Sequence, residues 1–235
     1  MQLIVLASGR GSRLKKLTKK IPKCLVSVRS KTIIDYISEN FRKFNQTIIL
    51  TGYKSNLINK KFINLKKVKN EKYMSTNMVY SLFCAKKFVK QDVIISYSDI
   101  IFDHQIINKM INFKKTHIPL NKEWLNLWEK RMNKKNINMD AEDLVTKKSK
   151  VISIGNKIIN KRPKLQFMGL IKLKYKDFIK LYKFFKTLNN RTIDMTSFLD
   201  IALKNKIISL SYFETSRYWF EIDNAKDKKI AEKFL

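Results

Sequence analysis

The run Leu3-Ile4-Val5-Leu6 passes without a polar interruption into Ala7-Ser8-Gly9-Arg10-Gly11-Ser12-Arg13-Leu14. A strand apolar at every position has no face for water, so it belongs inside a sheet covered on both sides. The loop after it is made of small residues and two guanidinium groups. Glycines let a backbone approach a ligand closely and leave N–H groups free for phosphate oxygens, and Arg13 adds a planar, permanent positive charge. Gly9-x-Gly11 lacks the third glycine of the dinucleotide fingerprint, and the lysine-serine ending of a Walker loop is absent as well.

The same alternation continues downstream. Apolar runs at 47–50, 65–68 and 93–96 alternate with amphipathic stretches near 33–44, 57–62, 78–88 and 105–113. This pattern predicts an α/β fold with a mostly parallel central sheet and helices on both faces. Ligands of such sheets sit beyond the carboxyl ends of the strands. The glycine loop, Gly52-Tyr53 and Ser98-Asp99 all fall at that edge. From Trp124 to Pro163 the sequence turns polar and rich in Asn and Lys, so residues 120–165 are expected to form a small inserted lid within one domain spanning 1–235. Regular structure then returns at 167–173, as helices near 175–188 and 195–204, a strand at 207–213 and a helix after Asn224.

With 235 residues and 44% hydrophobic content, the chain can bury one sizeable core. The net charge of +31 points by itself to nucleic acid or an anionic membrane surface. The lysines, however, are spread through the whole sequence. Pairs such as Lys15-Lys16, Lys60-Lys61 and Lys147-Lys148 read as solvated surface. A basic nucleic-acid-binding protein, the alternative of another class, requires clustered cations among stacking aromatics, and no specific nucleic-acid partner is expected. The positive field still favours capture of a small polyanion and makes it salt-dependent. No stretch of about twenty apolar residues exists to span a membrane, and Met1 leads directly into a strand without a basic leader, so a cytoplasmic location is expected. Cys24 and Cys84 have no metal spacing and are expected to stay reduced. His104 and His117 belong to no metal constellation.

Read together with Thr18 and Pro22-Lys23, the loop Leu6 to Leu14 resembles the nucleotidyltransferase signature, whose fold is Rossmann-like. Further segments narrow the likeness: Tyr73 to Leu82, Trp124-x-x-x-Trp128-x-x-Arg131, Asp140-Ala141-Glu142, Phe167-Met168-Gly169-Leu170, Asp194-Met195-Thr196 and Trp219-x-Glu221-x-Asp223. These are similar to cytidylyltransferases of the phosphocholine and phosphonate type, and the match runs almost end to end. Ser8 stands where alanine is usual, and Arg10 adds a bulky cation to the loop.

The resemblance implies transfer of CMP from CTP to a small phosphorylated or phosphonylated acceptor, with release of pyrophosphate. It assigns Leu6, Ala7, Ser8, Gly9, Gly11 and Ser12 to nucleotide contacts, Arg13 and Lys23 to the triphosphate, and Asn77, Ser81 and Tyr53 to the cytidine end. It places a magnesium ion between Asp99 and Asp223, with Glu221 as a competing ligand. Lys23, Arg13 and Asp99 would be the catalytic set. By their own chemistry, Asp99, Asp223 and Asn77 also fit turn or helix-cap roles. Trp124 and Trp128, four apart, share one face of a helix. That face is either buried packing or an aromatic wall for a substituted ammonium, with Asp140 and Glu142 as countercharge. A sugar-1-phosphate nucleotidylyltransferase is the nearer alternative. Oligomeric state, a homodimer included, is fixed by no residue. The family implies a product used in lipid or surface-polysaccharide decoration.

Overall fold

The computed structural model describes residues 1–159 and 161–235. Strand β1 (Gln2–Ala7) is buried along its whole length. Its alternate residues enter two separate cores. Ile4 and Leu6 pack with Val79, Leu82 and Phe83 on one face; Leu3, Val5 and Ala7 pack with Ile34, Ile37, Ile58 and Ile107 on the other. This is the physical content of an uninterrupted apolar strand: it needs both faces covered.

After β1 come a short hairpin, β2 (Ser27–Val28) and β3 (Lys31–Thr32), and then α1 (Ile33–Ser38). The stretch 33–44 is therefore not a single helix. Asn40 and Lys43 bond back three residues, to Ile37 O at 3.1 Å and Asn40 O at 3.0 Å, which tightens the chain into a separate 3-10 turn. β4 (Gln46–Thr51), α2 (Ser55–Lys61), β5 (Lys66–Lys69), α3 (Met78–Cys84) and β6 (Val93–Tyr97) follow. Strands β5, β4, β1 and β6 pair in parallel in that order, as the alternation predicts, and their carboxyl ends line up along one edge. β7 (Ile100–Phe102) and α4 (Gln105–Asn112) complete the first half.

The second half extends the same sheet with strands of both directions. β8 (His117–Asn121), α5 (Trp124–Arg131), α6 (Lys134–Asp140) and the hairpin β9 (Glu142–Lys147) and β10 (Lys150–Lys157) precede β11 (Gln166–Phe167) and β12 (Leu170–Leu173). Then come α7 (Tyr175–Thr187), α8 (Met195–Lys204), β13 (Ser211–Thr215), β14 (Trp219–Glu221) and α9 (Ala225–Phe234). The sheet order is β5-β4-β1-β6-β12-β8-β13-β10-β9, with β11 beside β8. Within 120–165, α5 turns Trp124, Trp128 and Arg131 inward, and the β9–β10 hairpin forms the far sheet edge.

Two differences from the sequence pattern have local causes. The run 207–213 begins as coil, because Ile207 N bonds back to Ala202 O at 2.9 Å to close α8, so pairing with β8 starts only at Ser211 opposite His117. Lys172, a cation inside the apolar run 167–173, is 2% exposed and donates to the carbonyls of Met110, Ile111 and Phe113. These carbonyls end α4 without intrahelical partners, and the ammonium satisfies them. Burial lowers its pKa, and it is a structural residue.

Candidate active site

The glycine loop leaves β1 at the carboxyl edge of the parallel strands. Gly11 has φ +71, and a Cβ there would lie 2.6 Å from Lys23 Cβ. Both the left-handed backbone and the close approach require glycine. The Thr18 hydroxyl donates to Gly11 O at 2.8 Å, so the signature threonine ties the end of the loop to its turn. The chain then reaches Pro22, which precedes the 3-10 turn carrying Lys23. In this way Lys23 comes back beneath the loop it follows by a dozen residues.

A cavity of about 190 Å³ opens beside the loop, lined by Leu6, Ser8, Gly9, Gly11, Lys23, Asn77 and Ser81 among the expected residues. Asp99, expected as a metal ligand, lines it as well, together with Tyr73, Thr76, Met78, Tyr97 and Ser98. The Ser8 hydroxyl is buried and has no hydrogen-bond partner. Asn77 caps α3 by accepting from Met78 N, and its amide donates to Thr192 O at 3.1 Å; it still faces the cavity. Asn70 Nδ2 donates to Ser81 Oγ at 2.8 Å and Thr76 Oγ1 at 2.9 Å, which shapes this wall.

Four residues expected at the nucleotide do not line it: Arg13, which turns to Asp223, and Ala7, Ser12 and Tyr53. Ala7 is in the core beneath the loop. Ser12 begins the 3-10 segment without lining the cavity. Tyr53 braces the loop from outside: its hydroxyl donates to Lys19 O at 2.7 Å, its N–H donates to Ser8 O at 3.0 Å, and the Arg10 guanidinium lies over its ring. The bulky cation of the loop is thus turned outward.

Asp99, in the wall of this cavity, forms a cluster with Glu221 and Asp223 in which carboxylate oxygens lie within 4.8 Å of one another. β7 and β14 pair antiparallel, Glu221 opposite Ile100, and Ile222 N donates to Asp99 O at 2.9 Å. That pairing joins two segments more than a hundred residues apart. Lys23 Nζ lies 2.8 Å from Asp99 Oδ2 and 2.5 Å from Asp223 Oδ1, and Arg13 reaches Asp223 Oδ1 at 2.9 Å. Burial by itself would lower the Lys23 pKa, but Asp99, Asp223 and Glu221 outweigh it and hold the ammonium above its ordinary value. Glu221 is pushed up to about 8, by burial first and then by repulsion from Asp223 and Asp99. Asp99 Oδ1 is buried without a partner. Hard oxygen donors, crowded negative charge and an unpaired carboxylate oxygen fit a divalent cation. Between Asp99 and Asp223 the Lys23 ammonium stands where such charge is needed.

Beneath this trio lies a support that the sequence reading passed over. Arg131 is buried and clamps Asp227 in a forked pair, Nε to Oδ1 at 2.9 Å and a second nitrogen to Oδ2 at 3.1 Å. Asp227 Oδ2 also accepts from Asp223 N at 2.9 Å. Arg131 further reaches Glu221 at 3.4 Å and Asp223 at 3.7 Å. The sequence signals were the Trp128-x-x-Arg131 spacing and the capping box of Asn224 and Asp227.

A second cavity of about 110 Å³ shares Tyr97 with the first and has Glu221 in its wall. It gathers Trp128, Asp140 and Glu142 with Gln166, Thr196 and Trp219. Gly169, at φ +75, makes room for the Tyr97 ring, which a Cβ would meet at 3.0 Å. Trp124 is not brought to this cavity. It is buried edge-on against Trp128, and its indole N–H donates to Pro163 O at 3.2 Å. Here the packing alternative holds.

A family model described as nucleotidyl transferase matches residues 2–228. A CTP:phosphoglutamine cytidylyltransferase of Campylobacter jejuni is 35% identical over 253 residues, covering 98% of this chain and 98% of that one. Among solved structures, an inositol-1-phosphate CTP transferase of T. maritima superposes with TM-score 0.79 at 18% identity, over 98% of this chain and 93% of the other. A CTP:phosphocholine cytidylyltransferase of Streptococcus pneumoniae superposes with TM-score 0.77 at 21% identity, over 99% and 98%. At such identities the structural likenesses speak for the fold alone. These matches agree with the cytidylyltransferase resemblance read from the sequence.

Proposed function

Because the chain belongs to the nucleotidyl transferase family, we propose that it is a cytidylyltransferase that moves CMP from CTP to a small phosphorylated acceptor. The observation that carries this reading is the meeting of Lys23, Arg13 and three carboxylates where the loop-side cavity adjoins a second, acidic one. The cytidine end would occupy the first cavity near Asn77, Ser81 and Tyr73. The triphosphate would run over the N–H groups of the glycine loop, with Arg13 and Lys23 as countercharge. Asp99 and Asp223 would hold magnesium, with Glu221 in reach as a third ligand. When bound, magnesium supplies charge neutralisation at the α-phosphate.

An acceptor phosphate oxygen forms the new bond to the α-phosphorus as the bond to the β-phosphate oxygen breaks and pyrophosphate leaves. An ionised phosphate needs no strong base, so positioning and fixed charge do most of the catalysis. Lys23 stabilises the reacting and departing phosphates from beneath, while Arg13, mostly exposed, closes from the loop side. Asp227 and Arg131 keep Asp223 in place. Acceptor contacts would belong to the second cavity, through Asp140 and Glu142, with Trp128 packed behind Asp140 and residues 120–165 as its lid.

The test is pyrophosphate release with each common nucleoside triphosphate against phosphoglutamine, phosphocholine, 2-aminoethylphosphonate and sugar-1-phosphates, with and without magnesium. Release with CTP and one small acceptor is expected. Asp99→Asn should lower kcat more than about 100-fold, the scale of losing one preorganised charge contact. Release only with a sugar phosphate and another nucleotide would overturn the reading.

A further inference from the structure

The second cavity is opposite in charge to the protein around it. The chain carries 50 lysines and arginines, yet none is among the described residues that line this space, whereas Asp140, Glu142 and Glu221 are. Glu142 accepts from the Thr196 hydroxyl at 2.8 Å and faces inward. Glu221 is paired with Arg131 at 3.4 Å, so Glu142 and Asp140 are the acids that a ligand entering here meets with no lining cation beside them, and they select an ammonium group at its far end.

An aromatic wall for a quaternary ammonium would need an open indole face, and the cavity does not supply one. Trp128 is 2% exposed. Its ring is covered by the Arg131 guanidinium at 4.3 Å and by the Trp219 ring at 5.1 Å, and its N–H is spent on Asp140 Oδ2 at 2.9 Å. What the cavity does supply is unspent hydrogen-bonding capacity. Gln166 Oε1 and Trp219 Nε1 are both closed to water and without a partner, and both residues line the same space. Buried polar groups are rarely left so, and one acceptor with one donor matches the N–H and the carbonyl of an amide.

We propose that Gln166 and Trp219 are specificity-determining residues that read an amide group of the acceptor, next to an ammonium site formed by Glu142 and Asp140. The inference rests on the cytidylyltransferase reading and deepens it. The acceptor is then a phosphorylated compound bearing a primary ammonium and an amide, and trimethylated amines are poor substrates.

Two conservative variants test this. Gln166→Met removes the side-chain amide and Trp219→Phe removes the indole N–H, each leaving an apolar side chain of comparable shape. With saturating CTP, each should raise KM for phosphoglutamine by about tenfold, the equivalent of about 1.4 kcal/mol, and leave kcat nearly unchanged. KM for phosphoethanolamine, which has no amide, should not move, whereas Glu142→Gln should raise KM for both. The wild type should prefer either of these over phosphocholine. A wild-type preference for phosphocholine, an equal rise in KM for both acceptors, or no rise at all would overturn the proposal. CTP affinity measured by calorimetry on the same preparations separates the two levels. Failure of the wild type to bind CTP would overturn the cytidylyltransferase reading and this inference with it. CTP binding with unmoved amide selectivity would overturn this inference alone.

Discussion

Replacing Glu221 by Gln should stabilise the metal-free protein at alkaline pH. Glu221 lies with Asp99 and Asp223 in one carboxylate cluster, and its proton is held up to about 8 against an ordinary 4.5, chiefly by burial and then by the two neighbouring charges. Between those two values the folded chain keeps a proton that the unfolded chain has already released. By linkage, the stability this proton contributes is fully present below 4.5 and is lost as pH rises through about 8. From pH 5 to pH 8 the loss should be about 3 kcal/mol, taken from one group with these two pKa values. Glu221→Gln cannot titrate, so its stability should fall less over the same interval, and the two proteins should diverge by that order. Urea unfolding in chelator at pH 5 and pH 8, wild type against variant, reads the difference directly. Magnesium should flatten the wild-type slope, because a bound cation favours the ionised carboxylate. Parallel pH profiles for the two proteins would refute the reasoning, since Glu221 would then be as ionised in the folded chain as in the unfolded one.

Gly11→Ala should weaken CTP binding and cost about 1–2 kcal/mol of stability, since the left-handed backbone is strained for a side chain and the new methyl meets Lys23 at 2.6 Å; thermal unfolding and KM for CTP check this. Asp227→Asn leaves the buried Arg131 guanidinium without its forked partner, a loss on the order of 3–5 kcal/mol when a buried pair is broken. It should also loosen Asp223 N, its other contact, so that half-saturation by magnesium rises along with the fall in denaturation midpoint.

The parallel half of the fold was legible in the sequence because each signal there is local. Four consecutive apolar residues require two covered faces, and Gly9-x-Gly11 followed by Thr18 and Pro22-Lys23 carries its spacing on one segment. The second half was less legible. Strands β12, β8, β13 and β10 take their directions from partners far along the chain. The run at 207–213 starts pairing late because a helix-closing turn claims its first residues. The buried role of Lys172 depends on three carbonyls some sixty residues away.

The candidate site divides along the same line. Residue type and position singled out the glycine loop with Arg13, and the resemblance to nucleotidyltransferases, carried by short segments, added Lys23 and Asp99. Only the tertiary structure decided that Glu221 joins Asp99 and Asp223, through the pairing of β7 with β14. It also packed Trp124 and Trp128, neighbours on one helix face, into the same core, with only Trp128 in the wall of the acidic cavity. Arg131 and Trp219 stand in segments that carry the resemblance, but their roles, like those of Asp227 and Gln166, come from burial. A buried charge must find its partner, and packing decides which polar atoms are left unpaired; neither condition exists until the chain has folded.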